Sequence, residues 1–96
     1  MWITFDRATN ARNVAERGLS FQRVAELDWE TACAVEDTRK DYGERRPRAL
    51  AMLGARLHVA VVTRRGAALH VISFRKANRR EVRLYGESRK QAGISP

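Results

Sequence analysis

The chain has 96 residues, 44% of them hydrophobic and 31% charged, with 19 Lys and Arg against 11 Asp and Glu for a net charge of +8. That length supports one small core and one domain spanning residues 1–96. The hydrophobic share argues against a disordered chain, and the charge balance suits nucleic acid, an anionic surface or an acidic protein.

The N-terminus, Met1 to Asp6, turns polar too soon for a signal peptide. Trp2–Phe5 reads as a short strand with Ile3 and Phe5 on one face. Asp6 can cap a helix from about Arg7 to Arg17, whose apolar stripe is Ala8, Ala11, Val14 and Ala15, and Gly18 fits its left-handed end. Ser20 can cap a second short helix with Phe21, Val24 and Ala25 facing inward. Thr31–Glu36 looks like a strand and contains Cys33, which reads as a buried small hydrophobe. With one cysteine there is no disulfide framework within the chain, and a cytoplasmic location is the simplest expectation.

Asp37–Arg46 is polar and reads as a loop, and residues 48–53 as a strand ending in a tight turn at Gly54-Ala55. Arg56–Thr63 and Ala68–Phe74 form the best strand pair, joined by Arg64-Arg65-Gly66-Ala67. Asn78 and Glu81 have the spacing of a capping box and open a last helix. Its half-apolar stripe is Ala77, Glu81, Leu84, Tyr85 and Ser88, and residues 91–96 should fray. The order β-α-α-β-β-β-β-α gives an α+β domain: an antiparallel sheet of about four strands, two N-terminal helices and one C-terminal helix. The helices are expected on one sheet face, leaving the other partly open. No apolar run approaches the roughly 20 residues of a membrane-spanning helix, so no membrane partner is expected.

The charge is concentrated. Residues 75–90 hold seven Arg and Lys against two Glu, a net +5 of the chain's +8. Lys76, Arg79, Arg80 and Arg83 could track a nucleic-acid backbone, and Arg79 and Arg80 lie in a first helical turn, where the dipole disfavours cations. Arg64, Arg65 and Arg75 suit a scissile phosphate because guanidinium binds it bidentately and stays charged, although Arg65 and Arg75 lie at opposite ends of one strand. His58 and His70 sit on the paired strands. Each alternates with apolar residues, so both are expected opposite Leu57/Val59 and Leu69/Val71, where they could lie near each other and serve proton transfer. A two-histidine metal site would need a third ligand, and no carboxylate lies at ligand spacing, so no metal and no cofactor is expected. Glu81 is more economically a cap than a catalytic carboxylate, and Tyr85 a core-facing residue with its hydroxyl near the surface.

Several segments resemble a known family. Phe5-Asp6-x-Ala8, Asn13 and Gly18-Leu19-Ser20-Phe21 look like the opening of BrnT toxins, and Glu44-Arg45-Arg46 like their central loop-to-strand element. Leu53-Gly54, Thr63-x-Arg65-Gly66 and Ile72-Ser73-x-Arg75-Lys76-Ala77-x-x-x-Glu81-x-x-x-Tyr85 extend the likeness over residues 3–87. The resemblance implies a RelE-like toxin of a bacterial type II toxin–antitoxin system that cleaves RNA. It implies neutralisation by a BrnA antitoxin that binds operator DNA, and an assembly with two copies of each protein. Two positions depart from the pattern: Glu16-Arg17 stands where the family shows Lys-His, and Thr9 where it shows a lysine in the first turn of helix one.

The reading that follows is a metal-independent endoribonuclease in which the RNA's own 2′-hydroxyl attacks the adjacent phosphate. Arg65, Arg75 and Arg17 would be catalytic, Lys76, Arg79, Arg80 and Arg83 would hold RNA, and His58, His70 or Tyr85 could move the proton. Two rivals stand beside it. One is a catalytically weakened toxin that binds its antitoxin and co-represses the operon. The other is an adaptor whose basic face binds an acidic protein.

Overall fold

The computed structural model, which describes residues 1–35 and 46–91, has five strands in one sheet. They are β1 (Trp2–Phe5), β2 (Cys33–Val35), β3 (Arg48–Leu53), β4 (Arg56–Arg65) and β5 (Ala68–Lys76), side by side in the order β1-β5-β4-β3-β2. Helix α1 (Arg7–Arg17) and a 3-10 helix (Phe21–Glu26) follow β1, and helix α2 (Arg79–Gln91) follows β5. Of the expected polar loop over 37–46 only Arg46 is described, and of the expected tail over 91–96 only Gln91, the last residue of α2.

The α+β class stands, but three details differ from expectation. The sheet has five strands, not about four, and it is mixed: β1 runs parallel to β5, from Trp2 opposite Ala68 to Phe5 opposite Val71. A parallel neighbour requires a long crossover, here everything from α1 to β4, and hairpin signals along the chain carry no trace of such a pairing. The second N-terminal helix is a six-residue 3-10 helix, capped when the Gln22 N–H donates to Ser20 Oγ at 3.2 Å. The third difference is that helices lie on both faces of the sheet.

The faces are read from alternation along the strands. Ala51, Ala60, Val62, Val71 and Phe74 pack with Leu19, Phe21, Val24 and Leu27 on one face. Leu50, Leu57 and Val59, the alternate residues, pack with Ala77 and with half-buried Cys33 and Tyr85 on the other, beneath α2.

Both antiparallel hairpins turn on two residues. Gly54 and Gly66, at the first loop positions, have φ +59° and +61°, and no non-glycine residue described has positive φ, as the type II′ pattern requires. Between Val61 and Val62 the register of β4 against β5 slips by one. Val61 faces Ser73 while Val62 faces Val71, so Ile72 is the extra residue of a bulge.

Helix α1 is attached differently from its apolar pattern. Asp6 caps it, accepting from the Thr9 N–H at 2.9 Å and the Thr9 hydroxyl at 2.6 Å. Yet Ala8, Ala11, Val14 and Ala15 face solvent, with Val14 44% exposed, and the helix's buried residue is Asn13. Its amide donates to the Leu19 carbonyl at 2.9 Å and to the Phe74 carbonyl at 3.0 Å. Asn10 adds a bond, accepting from the Phe21 N–H at 2.7 Å. Phe74 lies past the four residues of β5 that β1 covers, so Asn13 satisfies a strand carbonyl beyond the reach of β1.

Candidate functional site

The end of β5 gathers chemistry on both sheet faces. On one face, Arg17, Leu19, Arg23, Glu26, Leu53, His58 and Lys76 line an open cleft of about 520 Å³. Arg17 arrives as the last residue of α1, which stops when Gly18 turns left-handed at φ 68° and donates its N–H to the Val14 carbonyl. Arg17 and Lys76 also line a smaller hollow of about 250 Å³ beside it. Arg23 is paired to Glu26 at 3.5 Å, whereas Arg17 and Lys76 form no ion pair among the described residues.

His58 and Lys76 are directly opposite each other in the β4–β5 register. Cross-strand partners hold their Cβ atoms about 5 Å apart, so an imidazole and an ammonium share this cleft by construction. His58 is buried at 3% exposure, and its ring stands 5.5 Å from that of Phe74, centroid to centroid. Its Nδ1 is 2.9 Å from the Arg56 carbonyl.

On the other face, Arg48, Arg75, Asn78, Arg80, Glu81, Arg83 and Glu87 line a second cleft of about 650 Å³. Glu81 organises it. The capping box forms in both directions: the Asn78 N–H donates to Glu81 Oε1 at 2.9 Å, and the Glu81 N–H to Asn78 Oδ1 at 2.9 Å. The same carboxylate takes both Arg75 Nη groups at 2.8 Å and lies 3.5 Å from Arg48 Nη1. The Arg75 hydrogen bonds, helped by the Asn78 N–H, hold Glu81 below the usual carboxylate range against its burial. The reciprocal bond from Glu81 raises Arg75. Arg48 Nε is buried without a hydrogen-bond partner among the described residues.

A family model described as "Ribonuclease toxin, BrnT, of type II toxin-antitoxin system" matches residues 5–81. The chain belongs to the BrnT family. The crystal structure of the Brucella abortus ribonuclease toxin BrnT is similar, at 30% identity and a TM-score of 0.61 over 82% of this chain and 99% of that one. No curated protein matches the chain. The family description implies an RNA substrate and an antitoxin partner for BrnT toxins. No helix among the described residues is long and apolar enough to cross a membrane.

The residues singled out in this BrnT-family chain fall into separate groups. Arg17, Lys76 and His58 come together in the first cleft, and Arg75, Arg80 and Arg83 in the second. Arg79 is exposed at the start of α2. Arg65 pairs with Ala68 at the hairpin tip, while Arg75 pairs with Val59, six residues along β4 and on the order of 20 Å away.

The two histidines do not meet. His70 faces Thr63, five residues and roughly 17 Å along β4 from His58, and on the opposite sheet face. The expectation that they share a face fails because the two-residue turn pairs Arg65 with Ala68. Even positions of one strand therefore share a face with odd positions of the other, and Leu69 and Val71 lie on the His58 side. His70 Nδ1 is instead 2.8 Å from Thr4 Oγ1. Tyr85 donates its hydroxyl to Thr31 Oγ1 at 3.3 Å beneath α2. Three or more His, Cys, Asp or Glu side chains that could hold a metal do not gather anywhere among the described residues. Sequence reasoning missed Arg23 and Arg48, which carry no local pattern, and picked out Asn13 only through the family likeness, because its buried amide sits at an inward helical position that an apolar residue would ordinarily fill.

Proposed function

We propose that this chain is a metal-independent endoribonuclease toxin, with RNA crossing the junction between β5 and α2. The observation that carries this reading is the placement of Arg17 and Lys76, which form no ion pair among the described residues, beside His58 on one side of that junction, with Arg75, Arg80 and Arg83 on the other. Alternation at the strand end sends Lys76 and Arg75 to opposite faces. A strand of RNA draped over the junction then meets cations on both sides.

RNA supplies its own nucleophile, the 2′-hydroxyl, so the protein's work is to position the phosphate and to stabilise its developing charge. The products are a 2′,3′-cyclic phosphate and a 5′-hydroxyl. Arg17 and Lys76 would neutralise the scissile phosphate, and Arg80 and Arg83 would hold flanking phosphates, while Arg75, held by Glu81, would shape the second cleft. On this reading the mixed sheet is a variant of the RelE-like arrangement. The toxin acts in the cytoplasm and is neutralised by a BrnA-type antitoxin in a 2:2 assembly that represses its operon through the antitoxin's contact with operator DNA. The BrnT description supports the toxin–antitoxin frame of this proposal.

Inducible expression in a bacterial host tests it, with and without the neighbouring open reading frame, followed by gel analysis of total RNA. Growth arrest with RNA breakdown, relieved by the neighbour, is the expected result. Normal growth with soluble protein would favour the weakened toxin that binds its antitoxin as co-repressor.

A further inference from the structure

We propose that His58 is the general base of the reaction and that the reacting phosphate sits in the first cleft between Arg17 and Lys76, an assignment that rests on the ribonuclease reading. Three side chains could move the proton, and geometry separates them. His70 is bonded to Thr4 on the far side of the sheet, on the order of 17 Å along the strand. Tyr85 is bonded to Thr31 in the packing of α2. His58 alone of the three lines a cleft that also holds two cations without an ion pair among the described residues.

The hydrogen bond of His58 fixes its chemistry. A carbonyl oxygen only accepts, so the 2.9 Å contact with the Arg56 carbonyl places a proton on Nδ1. In the neutral ring, Nε2 is then the bare lone pair, the form a base needs. Burial against Phe74 holds the ring in place, and the strand register holds Lys76 across from it. Arg17 completes the cleft with a planar fork suited to two phosphate oxygens, and the cleft's remaining charges, Arg23 and Glu26, engage each other at 3.5 Å. The second cleft lacks this combination: it holds no imidazole, Glu81 is occupied by Arg75, Arg48 and the Asn78 N–H, and its other carboxylate, Glu87, is exposed on α2 with no buried packing to fix it.

The step balances without a co-reactant beyond water. His58 Nε2 takes the 2′-hydroxyl proton as the 2′-oxygen forms its bond to phosphorus. The bond from phosphorus to the 5′-oxygen breaks, and that oxygen takes a proton from water at the open mouth of the cleft. Arg17 and Lys76 offset the charge that builds on the non-bridging oxygens.

The test uses the full chain and an oligoribonucleotide with fluorophore and quencher at its ends, read as rate against pH, with the fold checked by circular dichroism. H58N is expected to lose 100-fold or more in kcat/KM and to lose the acid limb of the profile while still binding a 2′-deoxy analogue. The exposed pair R17Q/K76Q is expected to lose activity while keeping that limb, and it keeps the assignment testable should H58N not fold. R12Q, on the outer face of α1, should match wild type. A folded H58N with the wild-type profile, or a fully active R17Q/K76Q, overturns the assignment while leaving the ribonuclease reading intact. A wild-type protein that binds the analogue but cleaves no RNA overturns both.

Discussion

At the scale of single residues, Glu81 joins fold and site. Its side chain is 7% exposed and receives the Asn78 N–H, both Arg75 Nη groups and an ion pair from Arg48. Removing it leaves two guanidinium groups facing each other without an acid between them and opens the first turn of α2. Because both arginines are a quarter to a third exposed, water recovers part of that loss. Glu81→Ala should cost about 2–3 kcal/mol in urea unfolding. The direction with pH follows from the depressed carboxyl. A group whose folded pKa lies below its unfolded one stabilises fully above the unfolded value, near 4.5 for glutamate, and the gain is lost as pH falls through the folded value. The melting temperature should therefore hold from neutral pH down to about 5 and fall below about 4.5, with a shallower fall in Glu81→Gln. An equal acid slope in both proteins would remove Glu81 from that role.

At the scale of elements, α1 exposes what its sequence pattern would bury. Val14 stands among Ala8, Ala11 and Ala15 at helical spacing, yet it is exposed. Val14→Lys should then shift stability by no more than about 0.5 kcal/mol, where burial of that stripe would have made it a cost of several. A large loss would mean that the stripe packs inward in solution. The capping residues Asp6, Ser20, Asn78 and Glu81, and the glycines at 18, 54 and 66, were legible because each is a local device with a local signature. The β4–β5 pair was legible for the same reason. Non-local pairings were not. The parallel seat of β1 depends on where the chain returns after α1. The bulge at Ile72 moves Lys76 opposite His58, where an unbroken register from Arg65–Ala68 would have put Arg75. The residues of the candidate site could be picked out one by one, but their grouping turned on that single extra residue.

At the scale of the molecule, the +8 charge becomes a function only if some of it is free to meet phosphate. Part of it is not: Arg23 is engaged by Glu26, and Arg48 and Arg75 by Glu81. Arg17, Lys76, Arg80 and Arg83 line the two clefts without an ion pair among the described residues. Each phosphate neutralised on a single strand contributes about 0.7 to the slope of log affinity against log salt, so one phosphate between Arg17 and Lys76 and one each at Arg80 and Arg83 predict a slope of about −2. Fluorescence anisotropy with a 2′-deoxy oligonucleotide measures that slope without cleavage. R17Q/K76Q should lower it by about a third, since it removes one of the three neutralised phosphates, whereas Val14→Lys, away from both clefts, should not lower it. An unchanged slope in R17Q/K76Q would place the nucleic acid away from the β5–α2 junction. Salt-insensitive or absent binding in the wild type would leave the basic face to an acidic protein, because release of condensed counterions on binding is peculiar to a polyelectrolyte such as RNA.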